Sequence, residues 1–433
     1  MSTEGVSLGR VLRLWWPLAA SWILMSCELP LFTMAVARLP EAKVNLAAQG
    51  GLVFPVALLV EAPIIMLLAA STALCRDRAS YRLVHRFMMI AGLVLTALHA
   101  LVAFTPLHDF LCRNLIGLPE EVVEPARLGV RVMLPWTWSI AYRRFHQGLL
   151  IRAGQSRPVA VGTIVRLAAN AVVLTLGVWH GGFSGILIGG AGIATAVIAE
   201  AVFIGWKARP VVRELEAIEP GGEALTLPGF LSFYVPLGLT QLLSLVLPPI
   251  SAAAVSRMPL ELPSLAAWPA AWGFVFITRS VSYAYNEVVV RLMDEPGATE
   301  ALRRFAFLLA GGASAFLLVF LLTPLSSLWF ATILELPPDL VALCRVAVAV
   351  AFFQPALAAM EMWSQGRLVH ARRTKLVTGG MAIHLTAAVV VYAVGIAWSP
   401  WPGIHFAMVA LSVAGACKVA WLTWWASRLP AAS

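Results

Sequence analysis

Residues 207–228 read KARPVVRELEAIEPGGEALTLP, the one polar interruption near the middle of an otherwise apolar chain. Of 433 residues 60% are hydrophobic and only 12% charged, about half the charged fraction of an average soluble domain. On the N-terminal side of this stretch, apolar runs occupy 14–38, 45–74, 83–106, 127–151, 158–179 and 183–206. On the C-terminal side they occupy 228–256, 263–291, 304–330, 340–366, 374–398 and 402–427. Each can carry a helix across ~30 Å of hydrocarbon at about 1.5 Å per residue. The short alternation expected of barrel strands is absent. The pattern predicts an all-α polytopic membrane protein of twelve transmembrane helices. A six-helix bundle is expected from 1–206, a cytoplasmic linker at 207–227 and a second six-helix bundle from 228–433.

The two sides of the linker repeat one another. A shift of 219 lays Pro17, Pro30, Arg38, Pro40, Ala47 and Ala48 on Pro236, Pro249, Arg257, Pro259, Ala266 and Ala267. A shift of 218 lays Gln147, Gly148, Leu150, Gly162 and Gly177 on Gln365, Gly366, Leu368, Gly380 and Gly395. Six spans, an even number, separate each residue from its counterpart. The halves therefore share one orientation and should be related by a pseudo-two-fold along the membrane normal. Two transporter architectures use parallel six-span repeats, the major facilitator fold and the multidrug/lipid/polysaccharide flippase fold. The first carries a G-x-x-x-D-x-x-x-R-R-type loop after its second span, and CRDRASYR (75–82) lacks that spacing. The proline behind the aromatic residues of LWWPLAAS (14–21) and SFYVPLGL (232–239) is more like the flippase group.

The formal charge of +9 reads as topology. With a cytoplasmic N-terminus the inner segments hold 19 of the 31 lysines and arginines, and the outer segments hold five, Arg38, Lys43, Arg113, Arg127 and Arg257. That bias places both termini in the cytoplasm. No basic aromatic stripe suggests nucleic acid. Cys27, Cys75, Cys112, Cys344 and Cys417 are scattered, with no CxxC pair and no histidine at metal spacing, so neither disulfides nor a metal is expected. The first apolar run lacks a small-residue cleavage site and reads as a retained span.

Four short stretches resemble the progressive ankylosis family within the flippase superfamily. They are SFYVPLGLTQ (232–241), AVSRMP (254–259), RDR (76–78) and HQGLLIRAGQS (146–156). The chain lacks the long charged tail of the animal members, which suggests a bacterial-type relative in the cytoplasmic membrane. The resemblance implies export of small anions such as pyrophosphate, nucleotides or citrate.

Charge inside the spans is the other signal, because an ionised group at the bilayer centre costs at least ~2.5–3.5 kcal/mol and should face a cavity or a partner. The central candidates are Glu28, Glu61 and Arg279. The shift of 219 sends Glu61 to Ser280, beside Arg279, so a Glu61–Arg279 pair where the halves meet is expected, either as a static packing pair or as a gate. Asn286 continues the same stripe. Span 4 offers AYRRFHQGLLIRAG (141–154), with Arg143 roughly 12 Å above its cytoplasmic end and Gln147 on the same face. These arginines could snorkel to headgroups. Alternatively, Arg143, His146 and Arg152 wall a cytoplasmic vestibule that draws in an anion. Gln365, Arg367 and His370 repeat the arrangement in span 10. Glu200 and Glu361 should pair with nearby arginines, and Lys418 has no evident partner.

No G-x-x-x-x-G-K-[ST], H-E-x-x-H or G-x-S-x-G motif occurs, so the chain reads as no enzyme, with no cofactor. The leading expectation is a secondary transporter for a small organic or phosphate anion, working as a monomer by alternating access, with a coupling proton or sodium ion and membrane lipids as its other partners. The alternatives are a proton- or sodium-coupled multidrug antiporter, which would rely on Glu28 and Glu61, and a flippase for an anionic lipid-linked substrate.

Overall fold

The computed structural model describes residues 6–220 and 224–429, and no strand occurs among them. Twelve rods follow one another. They are α1 (Leu8–Ala37), α2 (Ala42–Leu74), α3 (Arg78–Phe104), α4 (Glu120–Val132, continued by Leu134–Arg152), α5 (Arg157–His180) and α6 (Gly185–Ala217). After the linker come α7 (Leu227–Val255), α8 (Glu261–Tyr283, continued by Tyr285–Leu292), α9 (Ala298–Leu322), α10 (Pro338–Val350, continued by Gln354–His370), α11 (Thr374–Trp398) and α12 (Gly403–Ser427). Among the described residues nine helices are long and apolar enough to cross a membrane, and α10 is a tenth if its segments, bent by 41°, form one span. The two rods that fall short are α4, which carries Arg143, Arg144 and Arg152, and α8, which carries Arg279. Their lower apolarity is the mark of the charges themselves.

Two span ends depart furthest from the expected ones. α6 continues to Ala217, because residues 213–217, RELEA, are strong helix formers; the first half of the polar linker is therefore helix. Within that linker, residues 221–223 lie outside those described. α9 stops at Leu322 rather than near 330, and a π-helical turn, Leu328–Ile333, follows.

Several rods are broken where proline demands it. α1 breaks at Cys27 and α7 at Val246. Just beyond these breaks, Pro30 and Pro249 lack the N–H that would bond the carbonyl one helical turn back. Each first segment therefore ends at that carbonyl, on Ser26 and Leu245. α1 and α7 thus start and break at counterpart positions, Leu8 with Leu227 and Cys27 with Val246, all at the shift of 219. The breaks of α2 and α8, at Met66 and Ala284, match at 218 instead. The difference of one is the π-helical turn Gln49–Val53 in α2, which inserts a single residue into the first repeat. Glu61 therefore corresponds to Arg279 itself and not to Ser280, a correction to the sequence alignment.

By compactness the chain divides into Ala35–Ser256 and a discontinuous unit, Met1–Met34 with Arg257–Ser433. The first rod of each sequence half thus sits with the later rods of the other. In the discontinuous unit, Trp15 Nε1 of α1 donates to the Val281 carbonyl at 2.8 Å, and its ring meets Phe305 at 5.4 Å. Arg10 pairs with Glu295 at 2.5 Å. In the Ala35–Ser256 unit, the Tyr234 hydroxyl of α7 donates to the Pro63 carbonyl, and Phe87 packs edge-on against Phe230 at 4.7 Å. Trp15 and Tyr234 are repeat counterparts, as are Val281 and Pro63. Each aromatic side chain thus satisfies a carbonyl just before the break in α2 or α8, where helical partners run out.

Candidate functional site: two buried charge clusters

The Ala35–Ser256 unit holds its cluster where α4, α5 and α6 pack. Arg143 Nη1 lies 2.5 Å from Glu200 Oε2, Gln147 Nε2 donates to Glu200 Oε1 at 2.9 Å, and Arg166 Nη1 is 3.8 Å from Oε2. The side chains of Arg143, Glu200 and Arg166 are 4%, 1% and 8% exposed. Such burial is tolerable only because the carboxylate meets donors at both oxygens. Arg143 and Gln147, one turn apart on α4, reach it together as neighbours on one helical face. Arg144 lies on the adjoining face within electrostatic range of Glu61 and Glu200. Asn170, one turn beyond Arg166, is fully buried. Glycine brings α6 close to it: a Cβ at Gly192 would stand 2.6 Å from the Asn170 Oδ1. The Nε atoms of Arg143 and Arg144 and both amide atoms of Asn170 have no hydrogen-bond partner among the described residues. Three guanidiniums share two carboxylates here, with donors left over.

The discontinuous unit holds the second cluster. Lys418 Nζ donates to Glu361 Oε1 at 2.6 Å, both side chains being about nine-tenths buried. Arg279 Nη1 donates to Gln354 Oε1 at 2.8 Å, and Gln354 Nε2 passes the chain on to Ser412 Oγ at 3.3 Å. The Arg279 guanidinium also stands over the rings of Trp272 and Tyr283, at 5.5 and 5.9 Å, a cation–π setting. His384 lies within electrostatic range of Glu361 and Lys418.

At the single shift of 218 these clusters are counterparts, with the sign of charge exchanged at three of the four positions. Arg143 answers to Glu361, Glu200 to Lys418, Glu61 to Arg279 and Arg166 to His384. The same buried contact is made twice, once with the cation on α4 and once with the cation on α12.

The structure brings together some of the expected residues and separates others. Arg143 and Gln147 meet on Glu200, while the expected wall of Arg143, His146 and Arg152 does not form. His146 Nδ1 donates to the Tyr142 carbonyl at 2.8 Å, and its ring packs on Tyr142 and Phe145. Arg152 turns outward and donates to the Thr72 carbonyl at 3.0 Å. Lys418 does have a partner, Glu361, which pairs with this lysine and not with an arginine. Glu61 is buried on α2, in a different unit from Arg279. Glu28 is half-buried in the first turn after the α1 break. Gln365 and Asn286 are half-buried, the latter with its Oδ1 unpartnered among the described residues. Arg367 lies over the Trp363 ring at 5.4 Å. Arg144, Arg166, Asn170 and Lys418 were underweighted by sequence reasoning, and applying the shift of 218 to every intramembrane charge would have found the second pair.

Outside the spans, Asp77 caps α3. Its carboxylate accepts from the Ser80 amide at 2.9 Å, and that backbone bond holds its pKa below the ordinary value. On the loop after α3, a hydrogen bond from Arg127 likewise holds Asp109 low.

Twelve helical rods in two repeats form a fold shared with solved MATE-type transporters. The chain matches an inward-facing multidrug resistance MATE family transporter of the MOP superfamily at TM-score 0.76 and 15% identity, over 98% of both chains. It matches the lipid II flippase MurJ, in an inward closed conformation, at TM-score 0.71 and 14% identity, over 96% of this chain and 88% of that one. A third match is a MOP superfamily transporter from Pyrococcus furiosus Vc1 described by the reverse polarity of its binding pocket, at TM-score 0.63 and 16% identity over 99% and 98%. No family model and no curated protein matches the sequence. At these identities the likeness speaks for the fold.

Proposed function

We propose that the chain is a secondary transporter for a small organic or phosphate anion, exported by alternating access of two six-helix halves in a bacterial cytoplasmic membrane. One observation carries this reading: Arg143 and Arg166 converge on the interior carboxylate Glu200, Arg144 stands on the adjoining face, and the Nε atoms of Arg143 and Arg144 have no hydrogen-bond partner among the described residues. Glu200 occupies the place that a carboxylate or phosphate of the substrate would take, and exchange between them would couple binding to a change in helix packing. Arginine suits this role because its planar fork binds such oxyanions in pairs of hydrogen bonds. The motif resemblance to the progressive ankylosis family supports the same substrate class, citrate, pyrophosphate or nucleotides. Both termini are cytoplasmic in this reading, and a proton or sodium ion supplies coupling. A cation antiporter fits less well, since the buried carboxylates Glu200 and Glu361 each already meet a cation.

The second reading, an anionic lipid-linked substrate, is favoured by the likeness to the MurJ flippase. Proteoliposomes decide between them. Uptake of labelled citrate, pyrophosphate or ATP that fails in Arg143→Lys and in Arg279→Ala supports the anion transporter. Movement of a fluorescent lipid-linked phosphate between leaflets, without soluble anion flux, supports the flippase. Proton-driven movement of a lipophilic cation that depends on Glu28 or Glu61 overturns both.

A further inference from the structure

Within the Arg257–Ser433 segment, α9 and α10 leave an open groove of about 620 Å³ between them. Leu318, Leu321 and Leu322 line it from α9, and Val346 and Phe352 from α10 and its break. One charge stands in this apolar setting, Arg345, which is exposed and has no ion-pair or hydrogen-bond partner among the described residues. It lies about 10 Å along α10 from Pro338, inside the stretch apolar enough to count as a span. A guanidinium facing lipid there is costly unless an anion meets it.

The internal repeat identifies what is missing. At the shift of 218, the counterpart of Arg345 is Arg127. Arg127 is clamped by Asp109 at 2.7 Å and by Glu124 at 3.1 Å. At the places equivalent to those two carboxylates the second repeat has Ser327 and Ala342. The arginine is kept while both of its acids are replaced, and the space around it opens to lipid.

We propose that this groove binds an anionic glycerophospholipid of the surrounding bilayer, with the phosphodiester on Arg345 and an acyl chain along Leu318, Leu322, Val346 and Phe352. No acid lines the groove, so a headgroup of net negative charge is matched, whereas a choline cation would find no partner. The lysine and arginine bias places this end of α10 in the outer leaflet. The site is independent of the transported substrate.

The test uses the full-length protein in detergent, titrated with dioleoyl phosphatidylglycerol, dioleoyl phosphatidylcholine or inorganic phosphate, and read by native mass spectrometry and thermal midpoint. Phosphatidylglycerol should be retained about fivefold more strongly than phosphatidylcholine, the worth of one basic residue beside an anionic lipid, and should raise the midpoint. Arg345→Ala should erase that preference. Ala342→Glu should erase it too, by supplying the internal acid that faces Arg127 in the other unit, without lowering the lipid-free midpoint. Leu322→Trp, which fills the groove and keeps the arginine, should also reduce retention. An unchanged preference in Arg345→Ala overturns the proposal, as does equal retention of the two lipids by the wild type. Stabilisation by inorganic phosphate matching that by phosphatidylglycerol overturns the lipid assignment in favour of a free anion.

Discussion

Arg143 and Glu200 set the terms at the scale of single residues. An intact buried pair adds little net stability, because desolvation offsets the attraction, but removing one partner strands a charge at a cost of about 3–5 kcal/mol. Arg143→Met should therefore lower the thermal midpoint sharply. Combining Arg143→Met with Glu200→Met and Arg166→Met, which removes both guanidiniums that pair with the carboxylate, should recover most of the loss while leaving no anion flux. If the single and triple variants melt alike, these groups are not holding charge in a dry interior. Asp77 gives a pH-dependent counterpart outside the membrane. Its folded pKa is depressed by the Ser80 amide, so its contribution is present above its unfolded pKa and is lost as pH falls through the folded one. Asp77→Ala should cost about 1 kcal/mol near neutrality, the usual value of an N-cap. The gap from wild type should close in denaturation curves recorded below about pH 4.

Among the elements, the broken rods carry most of the information. Tyr234 and Trp15 bond carbonyls that the breaks in α2 and α8 would otherwise leave bare. Tyr234→Phe keeps the ring packed on Phe87 and deletes only the donor, so it should destabilise by about 1–2 kcal/mol. A loss no larger than that of a half-buried control such as Tyr142→Phe would argue against this account. The turn Gln49–Val53 can be tested by deletion. Removing one residue there makes the repeat uniform at 218 and turns the rest of α2 by about 100°, taking Glu61 off its buried face. The deletion variant should express poorly, and a second, compensating insertion before Glu61 should restore it.

At the scale of the whole molecule, most of the rods were legible from hydropathy as long apolar runs, while α4 and α8, whose charges lower their apolarity, were read from the spacing between their neighbours. Arg143 and Gln147 were legible because charge stands out in such runs. The Lys418–Glu361 pair was not, since its two members stand on different rods, α12 and α10, and their relation to Arg143 and Glu200 emerges only at one shift. Two shifts, 219 before the π-helical turn and 218 after it, had blurred that alignment. The placement of the first rod of each half with the other half's rods left no trace in composition either, because hydropathy records depth and not neighbours. Orientation can be checked directly. Glu219→Cys, in a background without the native thiols, should react with a membrane-impermeant maleimide only in inside-out vesicles, whereas Asn114→Cys should react only in right-side-out ones.

The discontinuous unit also has a consequence in time. α1 leaves the ribosome well before its partners α8 and α9, which begin only after Arg257. At about 5–20 residues per second, α1 waits roughly 10 to 45 s in the bilayer before the surface it packs against has been made. Its proline-broken, aromatic-rich face must stay unclaimed through the synthesis of the entire Ala35–Ser256 unit. Assembly of this protein is thus paced by translation, and α8 and α9 close a bundle that α1 opened.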